Sequence, residues 1–96
     1  MALWERTEAR DTAIGSVLLE LDRQLELKAA GKFSSTCEDM ADHPYEALPI
    51  LLEEFGELAR AMQNGDEANF KEELTQIAAI AIAWLAGVTA RDLKYV

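Results

Sequence analysis

The stretch DEANFKEELTQIAAIAIAWLA, residues 66–86, decides the fold. Its first half is amphipathic, with Phe70 and Leu74 set against Lys71, Glu72 and Glu73. From Ile77 to Leu85 it is apolar on every side of a helix, and a helix apolar all round must be covered all round. Two further helices from the same chain cover about half of such a surface. The small residues Ala78, Ala79, Ala81 and Ala83 invite close approach of a neighbouring backbone. The expectation is an all-α helical bundle completed by oligomerisation, most simply a two-fold homodimer, with a homotetramer as a larger version. The alternative is a monomer whose first helix wraps the third more fully.

Working outward, Ile14, Leu18, Leu21 and Leu25 recur at helical spacing, with Val17 beside them and Glu20, Asp22, Arg23, Gln24 and Glu26 on the other face. A first helix is expected from about Ala2 to Ala30, ending at Gly31, a residue that takes positive φ without strain. Residues 32–43 have no period and read as loop. Asp42 is placed to cap a second helix with Pro44 in its first turn. Pro49 then requires either a later start, with residues 43–47 as a separate turn, or a kink. Leu48, Leu52, Phe55, Ala59 and Met62 are expected to form the inward stripe, widened by Leu51 and Leu58. Asn64-Gly65 ends this helix, Asp66 caps the third, and a tail follows Ala86.

The 96 residues are expected to form one domain, 1–96. Half are apolar and 28% charged, the balance of a folded chain. Two prolines and five glycines are too few for a turn-rich sandwich or barrel. The longest nearly unbroken apolar run, Ile77 to Val88, falls short of the roughly 20 residues of a membrane span, so no membrane partner is expected. The chain opens on no basic-then-apolar leader, and its single Cys37 suits a reducing compartment, so the expected location is cytoplasmic.

The net charge of −9 argues against nucleic acid as a partner. Between Glu38 and Glu73 stand eleven acidic residues against only Arg60 and Lys71, which accounts for all of that charge. Within it lie two short strings, Glu53-Glu54-Phe55-Gly56-Glu57 and Glu72-Glu73-Leu74-Thr75-Gln76. Residues three apart share a helix face, so Glu54 projects with Glu57, and Glu73 with Gln76. A short link makes the two helices antiparallel neighbours, and facing pairs would gather three carboxylates and an amide oxygen. Such a cluster either raises a pKa or recruits a cation, and oxygen-only ligands suit Mg²⁺ or Mn²⁺. On spacing alone, a solvated acidic helix face explains the same strings.

The order Glu53-Glu54-x-Gly56-Glu57, fifteen intervening residues after Glu57, then Glu73-Leu74-x-Gln76 and the apolar run to Leu85, resembles the MazG-like all-α nucleoside triphosphate pyrophosphohydrolases. His43-Pro44 and Leu48-Pro49-Ile50-Leu51-Leu52 are similar to small bacterial and phage members. The likeness covers about residues 43–86. It implies Mg²⁺-dependent hydrolysis of a nucleoside triphosphate to the monophosphate and pyrophosphate, in a nucleotide-pool housecleaning role. It also implies oligomers with bundles shared between subunits. Carried across, Glu54, Glu57, Glu73 and Gln76 become the metal positions, with Glu53 as a spare carboxylate to activate water. Gln76 departs from the Asp that the family usually has there, which supplies less charge. It keeps a second reading open: a catalytically inactive helical oligomer that binds metal or nucleotide, or mediates protein contacts.

Triphosphate binding also calls for cations. Lys28, Lys32, Arg60 and Lys71 are nearest in sequence, with Arg91 and Lys94 in the tail, and each is equally well an ordinary surface charge. Trp84 is placed to stack on a base or, at helical spacing from Ile77 and Ile80, to sit in the core. Trp4 is expected to pack across a subunit boundary or to sit loose. His43 reads as local structure before Pro44, and Cys37 has no catalytic partner at motif spacing. No Gly-rich phosphate loop, Cys/His zinc spacing or serine-nucleophile elbow is present.

Overall fold

A computed structural model of the chain describes residues 1–32, 39 and 44–93. The described residues form three helices and no strand: α1 (Leu3–Ala29), α2 (Pro44–Gln63) and α3 (Glu67–Leu93). Cys37, Asp42, His43, Lys94 and most of the expected loop lie outside the described residues.

Glycine sets both helix ends that the sequence marked. Gly31, at φ +77°, donates its N–H to the Lys28 carbonyl while the Lys32 N–H reaches Leu27. Gly65, at φ +66°, repeats the pattern, bonding to Met62 while the Asp66 N–H reaches Ala61 at 3.0 Å. These paired bonds satisfy carbonyls that a helix end otherwise leaves open, and the left-handed φ they need is cheapest at glycine. Asp66 then caps α3 by accepting the Asn69 N–H at 3.1 Å. The resulting sharp reversal makes α2 and α3 an antiparallel hairpin. Pro49 lies inside α2, which runs continuously from Pro44, so the separate turn over 43–47 does not form. Because Pro49 is only five residues into the helix, its missing N–H costs one bond in the second turn.

α3 is the middle of the molecule, with α1 and α2 each packed on it and their own backbones apart. Ile80 and Ala83 form the centre, covered by Leu21 of α1, Ile50 and Leu51 of α2, and Trp84 of α3. Trp84 is therefore a core residue.

α3 continues to Leu93 instead of giving way to a tail at Ala86, because no proline or positive-φ glycine interrupts it. By length and composition, α3 is long and apolar enough to cross a membrane, with 28% of that window buried within the chain. The α1 stripe stays open: Ile14, Leu18 and Leu25 are exposed and no residue of α1 is buried.

The main line of the expected inward stripe of α2 faces outward, and only its flank, Leu51 and Leu58, turns inward. Leu48, Leu52, Phe55, Ala59 and Met62 are all exposed, while Ala47, Ile50, Leu51, Leu58 and Ala61 turn toward α3. α2 is apolar on two sides, and the side that meets α3 is the one where Ala47 and Ala61, both buried, let the backbones close.

The molecule is open for its size. Its radius of gyration is 15.2 Å, against about 12.5 Å for a compact chain of this length. Its accessible surface is 6999 Å², against about 5,500 Å² for a folded monomer of this mass.

Candidate metal centre

The inward face of α2 carries Glu54 and Glu57 among its apolar residues, one turn apart. They meet Glu73 on the facing turn of α3, because the tight turn at residues 64–66 sets the register of the hairpin. One carboxylate oxygen from each of the three residues lies within 4.8 Å of the others. Glu73 is buried, only 7% exposed, and it is the sole buried charged residue among the described ones. Glu54 and Glu57 are half-buried.

No hydrogen bond reaches Oε2 of Glu54 or Oε2 of Glu73, both buried. A buried carboxylate oxygen without a donor loses its hydration and gains nothing in return. Burial first, then the Glu73 carboxyl alongside it and the negative charges of Glu57, Glu73 and Glu53, push Glu54 up to about 7. Two carboxylates this close, in a partly dry cleft, do not both ionise readily. The site therefore takes up a proton or a cation, and its all-oxygen donor set matches a hard divalent ion such as Mg²⁺ or Mn²⁺.

The remaining nominated residues sit around this centre. Gln76 is half-buried on α3, one turn beyond Glu73 on the same helix face. Glu53 is exposed at the rim of α2, close enough to Glu54 for its charge to be felt there. Arg60 is exposed one turn after Glu57. Lys71 is exposed and, two residues before Glu73, projects from roughly the opposite side of α3. Lys28 is engaged by the Asp39 carboxylate at 2.7 Å, and Lys32 is exposed just past the end of α1.

The sequence reading passed over Arg23. Its guanidinium holds Glu20 through two bonds of 2.7 and 2.6 Å, which lower the Glu20 carboxyl below its ordinary value. Glu72 of α3 adds to the field on Arg23. The i, i+3 spacing of Glu20 and Arg23 was the available signal for the pair. Their nearness to the acidic string of α3 had no signal in the sequence.

Residues 43–86 match the family described as MazG nucleotide pyrophosphohydrolase domain. No curated protein and no solved structure matches the chain.

Proposed function

The chain is MazG-like over residues 43–86, and on that premise we propose that it hydrolyses a nucleoside triphosphate to the monophosphate and pyrophosphate, using a divalent ion, as a housecleaning enzyme of the nucleotide pool. The observation that carries this reading is the trio Glu54, Glu57 and Glu73, with two buried oxygens that no donor satisfies. All three positions lie inside the matched segment.

In this proposal Glu54, Glu57 and Glu73 hold Mg²⁺, with Mn²⁺ as a substitute, and the Gln76 side-chain oxygen supplies a neutral fourth ligand. The bound ion would neutralise phosphate charge and lower the pKa of water. Glu53, exposed beside the trio, accepts the proton of the attacking water. The water oxygen bonds to the α-phosphorus, the bond from that phosphorus to the bridging oxygen breaks, and pyrophosphate departs. Arg60, one turn beyond Glu57, is the nominated cation best placed to meet the phosphates. Lys32 remains a candidate, while Lys28 has first to leave Asp39 and Lys71 has to reach around α3.

Incubation with a panel of canonical and modified nucleotides in Mg²⁺ tests the reaction directly. Pyrophosphate is released from at least one of them, and Glu54→Ala or Glu73→Ala abolishes the release. Gln76 specifically favours a second reading, a catalytically silent module that binds metal or nucleotide. Divalent binding without turnover of any nucleotide, with Mn²⁺ also tried, selects that reading.

A further inference from the structure

We propose that the α2–α3 cleft holds one divalent ion per chain and that Gln76 is the residue that keeps a second ion out. The inference rests on the metal reading above and extends it to the number of ions. Paired catalytic ions lie about 3.5–4 Å apart, and a carboxylate joins such a pair by giving one of its two oxygens to each ion. The first ion is provided for. Glu54, Glu57 and Glu73 each bring one oxygen within 4.8 Å of the others, and the buried Glu73 keeps Oε2 without a donor. A second ion needs a further charged donor next to that trio. Three and four residues before Glu54 stand Leu51 and Ile50, both packed on the core cluster. Three and four residues after Glu57 stand Arg60, exposed and cationic, and Ala61, which is buried. On α3, Asn69 and Phe70 precede Glu73, and Gln76 and Ile77 follow it, all four half-buried.

Of these neighbours only Asn69 and Gln76 offer a side-chain oxygen, and both are neutral amides. Asn69 lies between the trio and the turn at residues 64–66, the same end as the cationic Arg60. Position 76 is therefore where a second ion is admitted or refused. The chemistry of an amide decides for refusal. A carboxamide has one oxygen, and its NH₂ group only donates. Gln76 completes the shell of the ion held by the trio, and then turns the positive end of its N–H bonds toward the neighbouring position. Charge points the same way. Three carboxylates outweigh one divalent ion but fall short of two, and two ions that close repel each other with no fourth charge between them. Glu53 and Glu72, the sequence neighbours of the trio, are exposed and stay hydrated.

Counting bound Mn²⁺ per chain tests it, on the full metal-free protein without nucleotide. Electron paramagnetic resonance reads the count, in salt that screens the exposed acidic residues, with far-ultraviolet circular dichroism as the check on folding. One tightly bound ion per chain is expected, with the spectrum of an isolated ion. In Gln76→Glu, where a carboxylate of the same length replaces the amide, the count rises to two and the spectrum shows coupling between close ions. Gln76→Asp, with a shorter side chain, repeats the test should the first variant not fold. If neither keeps its helix content, the count in the unaltered chain still decides. Two ions per chain in the unaltered protein overturn the proposal and leave the proposed reaction standing. A single ion in the folded variants overturns the part given to Gln76. No bound ion at all removes the metal site itself, and the proposed function with it.

Discussion

Glu54 sits where an ionised carboxylate is unwelcome, and its protonation near 7 makes the stability of the metal-free protein depend on pH. In the unfolded chain this group loses its proton near the ordinary 4.5, so between 4.5 and about 7 the folded state holds more protons than the unfolded one. Stability therefore falls as pH rises through that window and levels off above it. Urea melts of metal-free protein at pH 5 and pH 8 are expected to differ by about 1–2 kcal/mol in favour of pH 5, after allowance for solvent screening at a half-buried site. Glu54→Gln removes most of that difference. Gln76 carries a related prediction. In Gln76→Asp a further negative charge joins the cleft, which tightens divalent-ion binding roughly tenfold and costs the metal-free protein about 1 kcal/mol. Calorimetric titration reads the first effect and a thermal melt the second. The pairing of Glu54 with Glu57 was legible in the sequence, because three-residue spacing on a helix is a local rule. The burial of Glu73 was not, since it depends on how closely α2 and α3 approach.

At the scale of the elements, the punctuation of the chain was readable and the facing of its helices was only partly so. Gly31, Gly65 and Asp66 announced their roles because each satisfies backbone groups within a few residues of itself. Gly65→Ala places a side chain at φ +66° and is expected to cost about 1 kcal/mol. Asp66→Ala, which removes the cap on Asn69, is expected to cost a similar ~1 kcal/mol. Chemical denaturation of the two variants measures both, and an unchanged midpoint in either contradicts its assigned role. The inward side of α2 was misread because the helix has two apolar stripes, and periodicity alone assigns neither to the core. The contact with α3 chooses the stripe that contains Ala47 and Ala61, and with it brings Glu54 and Glu57 inward. The carboxylate cleft is thus a consequence of which stripe packs.

Across the whole molecule, the all-α architecture was evident from the helical spacing of the apolar residues and from the apolar third helix, and the three helices follow it. The arrangement around α3 was less evident, because α1 leaves its own apolar residues open and buries none of them. Few side chains therefore hold the three helices together. Ile80 is the most consequential, touching the cluster to which α1 contributes Leu21 and α2 contributes Ile50 and Leu51. Ile80→Ala opens a cavity at that junction and is expected to destabilise by about 2–4 kcal/mol, read by urea denaturation. Ile82→Ala, on the exposed side of the same helix, is expected to cost the isolated chain much less.

Glu54, Glu57 and Glu73 together are proposed to hold a divalent ion, and titration of the metal-free protein with Mn²⁺, followed by electron paramagnetic resonance, reads that binding without any assay of turnover. Saturable binding is expected, and it is lost in Glu73→Gln while the helical circular dichroism signal is kept. Absence of saturable binding, or binding that Glu73→Gln leaves unchanged, would contradict it.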